Sequence, residues 1–461
     1  MNTSGNTSDY AAAVVAKAEA GGMHATELAA LRRRLKQLTE PQAGLLPGDA
    51  LEPLAELPGL DDQAEPSAGR ARELLDQLVI VKLNGGLGTS MGLSGPKSQL
   101  EVKPGASFLD IIATQVLALR KRYDARLPLV LMDSATTHEP SLKLLGHYPG
   151  LERPGLPLDF LQGREPKIRT DDFFPVEWPA DPELEWCPSG HGDIYPALAA
   201  SGMLDALIEA GLRYAFVSNA DNLGARADVR IAAWLAAEQV PFALEAVRGT
   251  PADRKGGHLA RYEGHVVLRE TAQVPEGDTS FTDVERWRWY NTNNIWIDLR
   301  RLKELQTADP GAPALPLIAN HKTVDPRDSG STPVIQLESA MGAAIGSIPG
   351  ARAIHVPRTR FAPVKTTNDM LVVRSDAYEL AEDGQLKPTF DGPAPVVTLD
   401  GDYYKLLPDF EQRFPAGVPS LRRCQRLQID GDVTFGANVV ITGDVRITGP
   451  RHIPDGTELS G

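Results

Sequence analysis

Cysteine is nearly absent from this chain, with only Cys187 and Cys424 in 461 residues. Two thiols cannot build a disulfide framework, so a reducing compartment is indicated and a cytoplasmic location is expected. Long apolar runs are missing too. No stretch approaches the roughly 18 consecutive apolar residues of a membrane span, although 42% of the chain is hydrophobic. Nor is there an excess of positive charge: 47 lysines and arginines stand against 61 aspartates and glutamates, for a formal net charge of −14. That balance opposes non-specific nucleic-acid binding. A protein so acidic that takes a polyphosphate must gather its lysines locally. Met1–Gly5 has no basic segment followed by an apolar one, so a secretory signal is not expected.

What the chain does concentrate is glycine. The mostly apolar run Val79-Ile80-Val81-Lys82-Leu83 leads into Asn84-Gly85-Gly86-Leu87-Gly88-Thr89-Ser90-Met91-Gly92, and Gly95-Pro96-Lys97-Ser98 follows. Closely spaced glycines after a strand let backbone N–H groups converge where no Cβ blocks an anion. Lys97 then adds one mobile positive charge, as a phosphate-binding lysine does. A Walker A loop has glycine directly before its lysine, and Pro96 stands there instead. The dinucleotide fingerprint G-x-G-x-x-G is also missed, because Gly86, Gly88 and Gly92 are spaced G-x-G-x-x-x-G. A tight turn that simply needs glycine is the plainer alternative.

Ahead of this loop, Ala11–Lys17 and Thr26–Leu35 read as helices, and Arg32-Arg33-Arg34 as a solvated helix face. Pro41–Gly69 reads as a linker with turns. From about Leu75, strands at Val79–Leu83, Leu127–Met132, Tyr214–Ser218 and Phe242–Val247 alternate with helices around Leu109–Arg122, Ala197–Ala210 and Val229–Glu238. Such alternation predicts βαβ units, a largely parallel sheet and a ligand outside the carboxyl ends of the strands. Near the C-terminus Leu427, Val433, Val439 and Val445 recur every six residues, and Ile453 and Leu459 repeat the interval. Hexads of this kind predict a β-helix with inward-stacked aliphatics; a β-meander is the alternative. Its open coil ends are expected to join another copy, so that deletion after Arg426 changes assembly more than chemistry.

Six other segments hold candidate ligand contacts. Ser218-Asn219-Ala220-Asp221-Asn222 closes a buried strand, and a carboxylate there, facing a phosphate loop, suits Mg²⁺; taken alone it reads as a turn or helix cap. The others are Asp159-Phe160-Leu161-Gln162, Pro188-Ser189-Gly190-His191-Gly192-Asp193-Ile194-Tyr195, Lys255-Gly256-Gly257-His258 with Tyr290-Asn291-Thr292-Asn293-Asn294-Ile295-Trp296, and Phe361-Ala362-Pro363-Val364-Lys365-Thr366-Thr367-Asn368-Asp369. Cys187 with His191 is a rival nucleophile–base or metal pair that lacks a third partner. For Tyr290–Trp296 an asparagine-rich turn is the plainer reading.

Together these segments resemble the eukaryotic-type UTP–glucose-1-phosphate uridylyltransferase family, the UDP-glucose pyrophosphorylases. The match is dense from about Leu75 to Asp369, with Ser189 replacing a family proline. The resemblance implies a glycosyltransferase-A-like α/β nucleotidyltransferase domain, with a mixed, mostly parallel sheet between helices, and a C-terminal left-handed β-helix-like domain. The expected division is 1–74 as helical extension and linker, 75–380 as catalytic domain, and 381–461 as linker and oligomerising hexad repeat. The implied reaction joins UTP and glucose 1-phosphate into UDP-glucose and pyrophosphate, with Mg²⁺, by direct in-line attack on the α-phosphorus. By the same resemblance Lys365 and Lys97 are catalytic and Asp221 is the metal ligand. Leu83, Asn84, Gly85, Gly86, Lys97, Gln162, Gly190, Asn219, Asp221 and Lys365 meet nucleotide, with Gln162 on uracil. Gly85, Gly86, His191, Asn219, Gly257 and Asn293 meet the sugar phosphate. Related N-acetylhexosamine enzymes carry arginine at the position of Ser90, which weighs against that substrate. A silent nucleotide-sugar sensor is the other alternative, and the presence of Lys97, Asp221 and Lys365 weighs against it.

Overall fold

The computed structural model describes residues 7–40, 44–93 and 95–461, so the expectation for Met1–Gly5 falls outside the described residues. Strands Asp159–Leu161, Leu129–Asp133, Leu78–Leu83 and Tyr214–Asn219 lie side by side, all parallel, in a ten-stranded sheet. Trp289–Asp298 follows in antiparallel orientation. Phe242–Arg248 pairs along it, and Arg352–His355 runs parallel to Phe242–Arg248. The sheet is therefore mixed but mostly parallel, as the alternating pattern predicts.

The residues of Leu78–Leu83 show why this strand is central. Val79 and Val81 enter one apolar core, and Leu78 and Ile80 enter the other. A period of two thus divides one buried run between two faces. Each fully buried aliphatic contributes about 1.5–3 kcal/mol. Helices Phe108–Tyr123 and Val229–Glu238 cover one face, while Ile194–Ala200 and Met203–Glu209 cover the other. In register, Leu83 lies opposite both Asn219 and Met132, and Asp133 lies opposite Leu161. The loops that leave these strand ends consequently open on one crevice.

Four expectations are corrected. The helix expected over Ala197–Ala210 is two helices, divided at Gly202, whose φ of +75° no helix continues through. Tyr290–Trp296 is not a free turn but part of the long strand, bulged at its asparagines: pairing with Phe242–Arg248 jumps from Asn291 to Ile295, and Asn293 between them has φ +55°. The proposed linker is packed, since Leu46, Leu51, Leu54 and Leu60 are buried and Glu52–Pro53 pairs with Ala260 and Arg261; residues 41–43 of it lie outside the described residues. Finally, Arg32–Arg34 do not share a solvated face. Consecutive helical residues are turned by about 100°, and Arg34 lands on the buried side with Leu31 and Leu35.

At the C-terminal end, strands Val396–Leu399, Ser420–Asp430, Val440–Thr448 and Glu458–Ser460 stack in parallel, and Val433–Phe435 pairs in parallel with Arg451–Ile453. Leu427 sits opposite Val445 and Val433 opposite Arg451, each eighteen positions on, which is three hexads per layer. Leu427, Val433, Val439 and Val445 are all buried. Parallel register is not the pairing of an antiparallel meander. Among the described residues no helix is long and apolar enough to cross a membrane.

Candidate active site

At the ends of the parallel strands, Lys97 Nζ and Asp221 Oδ2 meet at 2.6 Å. The glycine loop makes this possible by folding back on itself: the Lys97 N–H donates to the Gly86 carbonyl at 3.2 Å. An ideal Cβ on Gly86 would meet nothing, so its backbone borders open space. Asp221 leaves the Tyr214–Asn219 strand beside Leu83, whose carbonyl accepts the Ala220 N–H at 3.1 Å. Its second oxygen, Oδ1, is buried without a hydrogen-bond partner. Among the described residues no group of three or more His, Cys, Asp or Glu side chains could form a metal cage. An orphaned carboxylate oxygen beside a phosphate-type loop fits a cation held by one carboxylate and by phosphate oxygens.

Lys365 arrives from far along the chain and is stitched to the same strand end. The Val364 N–H donates to the Asp221 carbonyl at 3.1 Å, the Ala362 N–H to Asn222 Oδ1 at 3.0 Å, and Asn222 bridges Pro363. Asp369 caps the following helix, accepting the Lys365 and Thr366 N–H groups at 2.9 and 2.8 Å. The Lys365 side chain is left exposed. His191 lies within reach of that charge. Its Nδ1 accepts the Met341 N–H at 3.0 Å, which puts the ring hydrogen of the neutral form on Nε2. Burial first, and the Lys365 charge second, push its pKa down to about 4. A neutral imidazole with one N–H to offer suits a phosphate oxygen.

The Gln162 amide lies across Gly85, where an ideal Cβ would come within 2.5 Å of Oε1. Any side chain at Gly85 would displace it. Gly190 has φ +78°, and a Cβ there would strike the Ser339 carbonyl at 2.9 Å, so only glycine fits. Gln162 and Gly190 follow or lead a short ribbon, Arg164–Pro166 against Trp186–Pro188. Asn219, at the end of its strand, is half-buried.

Opposite Lys365, Gly257 lies directly under the Glu270 carboxylate, 2.5 Å from the place of a Cβ. Burial raises the Glu270 pKa, while a hydrogen bond from Asn291 and the Lys365 charge oppose this. Asn293 adopts φ +55°, taking a hydrogen bond from Asn291 Nδ2 at 2.8 Å and giving its N–H to Asn291 Oδ1 at 2.8 Å. Glu270 is the residue that sequence reasoning missed. Nothing local marks it, and only the absence of a Cβ at Gly257 hints that something must lie there.

Not every candidate faces the crevice. The Asn84 side chain is buried and donates to Asp133 Oδ1 at 2.6 Å and Ser141 Oγ at 2.8 Å, anchoring the loop from beneath. The Cys187–His191 pair is absent: the buried thiol is pushed up to about 12 and donates to the Glu165 carbonyl at 3.6 Å. The Ser90 side chain lies outside the described residues. Below the crevice, Glu245 is satisfied by Arg360 Nη2 at 2.5 Å and Nε at 2.8 Å, Trp296 Nε1 at 2.9 Å and Asn294 Nδ2 at 3.0 Å. Buried Lys82 donates to Ser218 Oγ and the Ala225 carbonyl, both at 2.8 Å. Burial, and then Arg360, push its pKa down to about 7.

Comparison with known proteins shows the family of the chain. The family model for UTP–glucose-1-phosphate uridylyltransferase matches residues 29–442. A protein of that name from Solanum tuberosum is 40% identical over 428 residues, 90% of this chain and 85% of its own. The Saccharomyces cerevisiae protein is 41% identical over 377 residues, 81% of this chain and 74% of its own. Among solved structures, a mutant UDP-glucose pyrophosphorylase from Leishmania major in complex with UDP-glucose superposes with TM-score 0.92 at 41% identity, covering 98% of both chains. A Trypanosoma brucei UDP-glucose phosphorylase gives 0.88 at 41% identity, covering 98% of this chain and all of that one. With a family model spanning most of its length and relatives of this identity across it, the chain belongs to the UTP–glucose-1-phosphate uridylyltransferase family.

Proposed function

We propose that this enzyme makes UDP-glucose and pyrophosphate from UTP and glucose 1-phosphate. The observation that carries the reading is the convergence of Lys97, Asp221 and the Lys365 loop at the end of one parallel strand. A phosphate oxygen of glucose 1-phosphate attacks the α-phosphorus of UTP, and the bond to the bridging oxygen breaks in line, with the electron pair leaving on pyrophosphate. The phosphate nucleophile is already ionised, so neither a side-chain nucleophile nor a strong base is required. Positioning and charge neutralisation do most of the work.

Each part of the crevice has a role in this reading. Gln162 and the Gly190 backbone take the uracil edge, and Leu83, Gly85, Gly86 and Asn219 line the path of the nucleotide, with Asn84 supporting them. Lys97 neutralises the departing pyrophosphate. Lys365 and His191 Nε2 meet the phosphate of the sugar. Gly257, Asn293 and the Glu270 carboxylate, placed side by side, accept and orient sugar hydroxyls. Asp221 would hold Mg²⁺ through its free Oδ1. That ion, when bound, supplies charge neutralisation along the triphosphate.

The eighteen-residue layers of the tail support a left-handed β-helix that joins copies of the chain through its open edges. The test of the reaction is pyrophosphate release across nucleoside triphosphates and sugar 1-phosphates. UTP with glucose 1-phosphate should exceed ATP or GTP by well over tenfold in kcat/KM, the scale set by unpaired buried polar groups. Comparable rates with purine nucleotides, or with N-acetylhexosamine 1-phosphate, would sink the assignment.

A further inference from the structure

The helix Ala25–Leu38 carries an arginine on its apolar face. Arg34 is 5% exposed, and its Nη2 donates to Glu165 Oε1, itself on a residue 1% exposed. The buried Asp193 carboxylate also acts on the same guanidinium through its charge. Neither acid belongs to the proposed chemistry, yet each is attached to one side of the base pocket. Glu165 lies in the Arg164–Pro166 strand, in register with Cys187, and Arg164 is in register with Pro188. Gln162 lies two residues before Arg164 and Gly190 two residues after Pro188, at the same end of this ribbon. Asp193 Oδ2 accepts the Gly163 N–H at 2.5 Å, and the Asp193 N–H donates to the Gly190 carbonyl at 3.2 Å. Glu27, on the same helix, presses against Gly163, with Oε1 2.6 Å from the place of a Cβ. The N-terminal helix therefore grips the Gln162 arm directly, and Asp193 ties that arm to the Gly190 arm.

We propose that Arg34 is a positioning residue that sets selection of uracil over cytosine, an inference resting on the reading of Gln162 and Gly190 as base contacts. Uracil offers an N3–H donor beside an O4 acceptor, whereas cytosine offers an N3 acceptor beside an amino donor. A carboxamide turned over matches either. Discrimination thus comes from holding the Gln162 amide and the Gly190 backbone in a fixed relation. Arg34 provides this through its buried ion pair with Glu165, which lies in register with Cys187 of the facing arm, and its rigid guanidinium geometry is one a lysine cannot reproduce.

The experiment compares kcat/KM for UTP and CTP in the full-length protein and in Arg34→Lys. The UTP-to-CTP ratio should fall about fivefold or more through a higher KM for UTP, with kcat for UTP within about twofold and KM for glucose 1-phosphate unchanged. An unchanged ratio, even with a lower melting temperature, overturns the proposal and leaves Arg34 a part of the fold alone. Should Arg34→Lys not fold, Asp193→Asn keeps an acceptor for the Gly163 N–H, removes the charge Arg34 meets, and must lower the same ratio. Gln162→Ala, measured alongside, separates the two readings. If it lowers the ratio and the Arg34 and Asp193 variants do not, only the positioning role falls. If it leaves the ratio intact, the uracil contact itself is wrong and the inference goes with it.

Discussion

Lys97 and Lys365 carry the same charge in different surroundings, and their substitutions should separate. Lys97 is ion-paired to Asp221 at 2.6 Å beside the glycine loop. Lys365 is exposed, held only by its backbone, with its charge felt by His191 and Glu270. Two phosphates brought to about 4 Å repel by several kcal/mol at intermediate effective dielectric, and that repulsion peaks as attacker and α-phosphorus converge. Lys365→Ala should therefore lower kcat by about 10²–10³, the scale for one preorganised electrostatic group, with little effect on UTP affinity. Lys97→Ala should weaken UTP binding as well as turnover. Calorimetric UTP titrations decide: affinity lost in Lys365→Ala and kept in Lys97→Ala would reverse the roles. Both lysines, Asp221, Gln162 and His191 were legible because each sits in a local motif. Glu270 and Arg34 were not, since their neighbours in space come from other segments. Asn84 was placed in the right loop, but a sequence does not tell which way a side chain turns at a strand end.

At the scale of the element, the strand His258–Tyr262 bears a histidine with nothing polar to meet. His258 is fully buried, stacked on Trp287 at 4.7 Å with Phe281 at 5.0 Å, and neither ring nitrogen has a partner. Burial first, then Arg269 and Arg286, push its pKa down to about 3, with Asp278 opposing. The unfolded chain, with an ordinary histidine near 6.5, then holds more protons than the folded one between the two values. Stability must fall as pH falls through that window, by about 1.4 kcal/mol per unit from this group. His258→Phe should remove this slope while leaving stability at pH 7 equal or higher, because an unsatisfied buried group is lost. Urea midpoints of both proteins from pH 6.5 to 4.5 provide the check, and parallel curves would refute it. The strands and helices of the parallel core were readable because their apolar runs and caps are local. The Trp289–Asp298 strand was not, for its asparagines fall at a bulge, and only the pairing on either side of them makes the segment a strand.

Whether the hexad tail is a separable module is a question about the whole molecule, and packing answers against separation. Tyr404 OH donates to the Val433 carbonyl at 2.6 Å, Phe414 stacks on Phe435 at 5.0 Å, and the Asp376 side chain accepts from Ser420 Oγ and the Leu421 N–H at 2.7 and 2.9 Å. Leu406 reaches Gly92 of the glycine loop, 3.1 Å from the place of a Cβ. One continuous core runs from Phe108 and Val229 through Leu427, Ile429, Val433, Phe435, Val439, Ile441, Val445, Ile447 and Ile453. Nine buried side chains at about 1.5 kcal/mol or more each amount to roughly the whole net stability of a domain, about 5–15 kcal/mol. Deletion after Arg426 should therefore abolish cooperative thermal unfolding and turnover together, not merely alter assembly. A truncated protein that melts sharply and stays active would show the tail to be dispensable. Assembly needs a gentler probe. The Val396–Leu399 strand lies at one edge of the four-stranded stack, and Val396 is half exposed. A charge there opposes edge-to-edge pairing without touching the core. If copies join along this edge, Val396→Lys should give a smaller species by light scattering at equal concentration, with turnover retained. An unchanged species would move the joint to another face of the molecule.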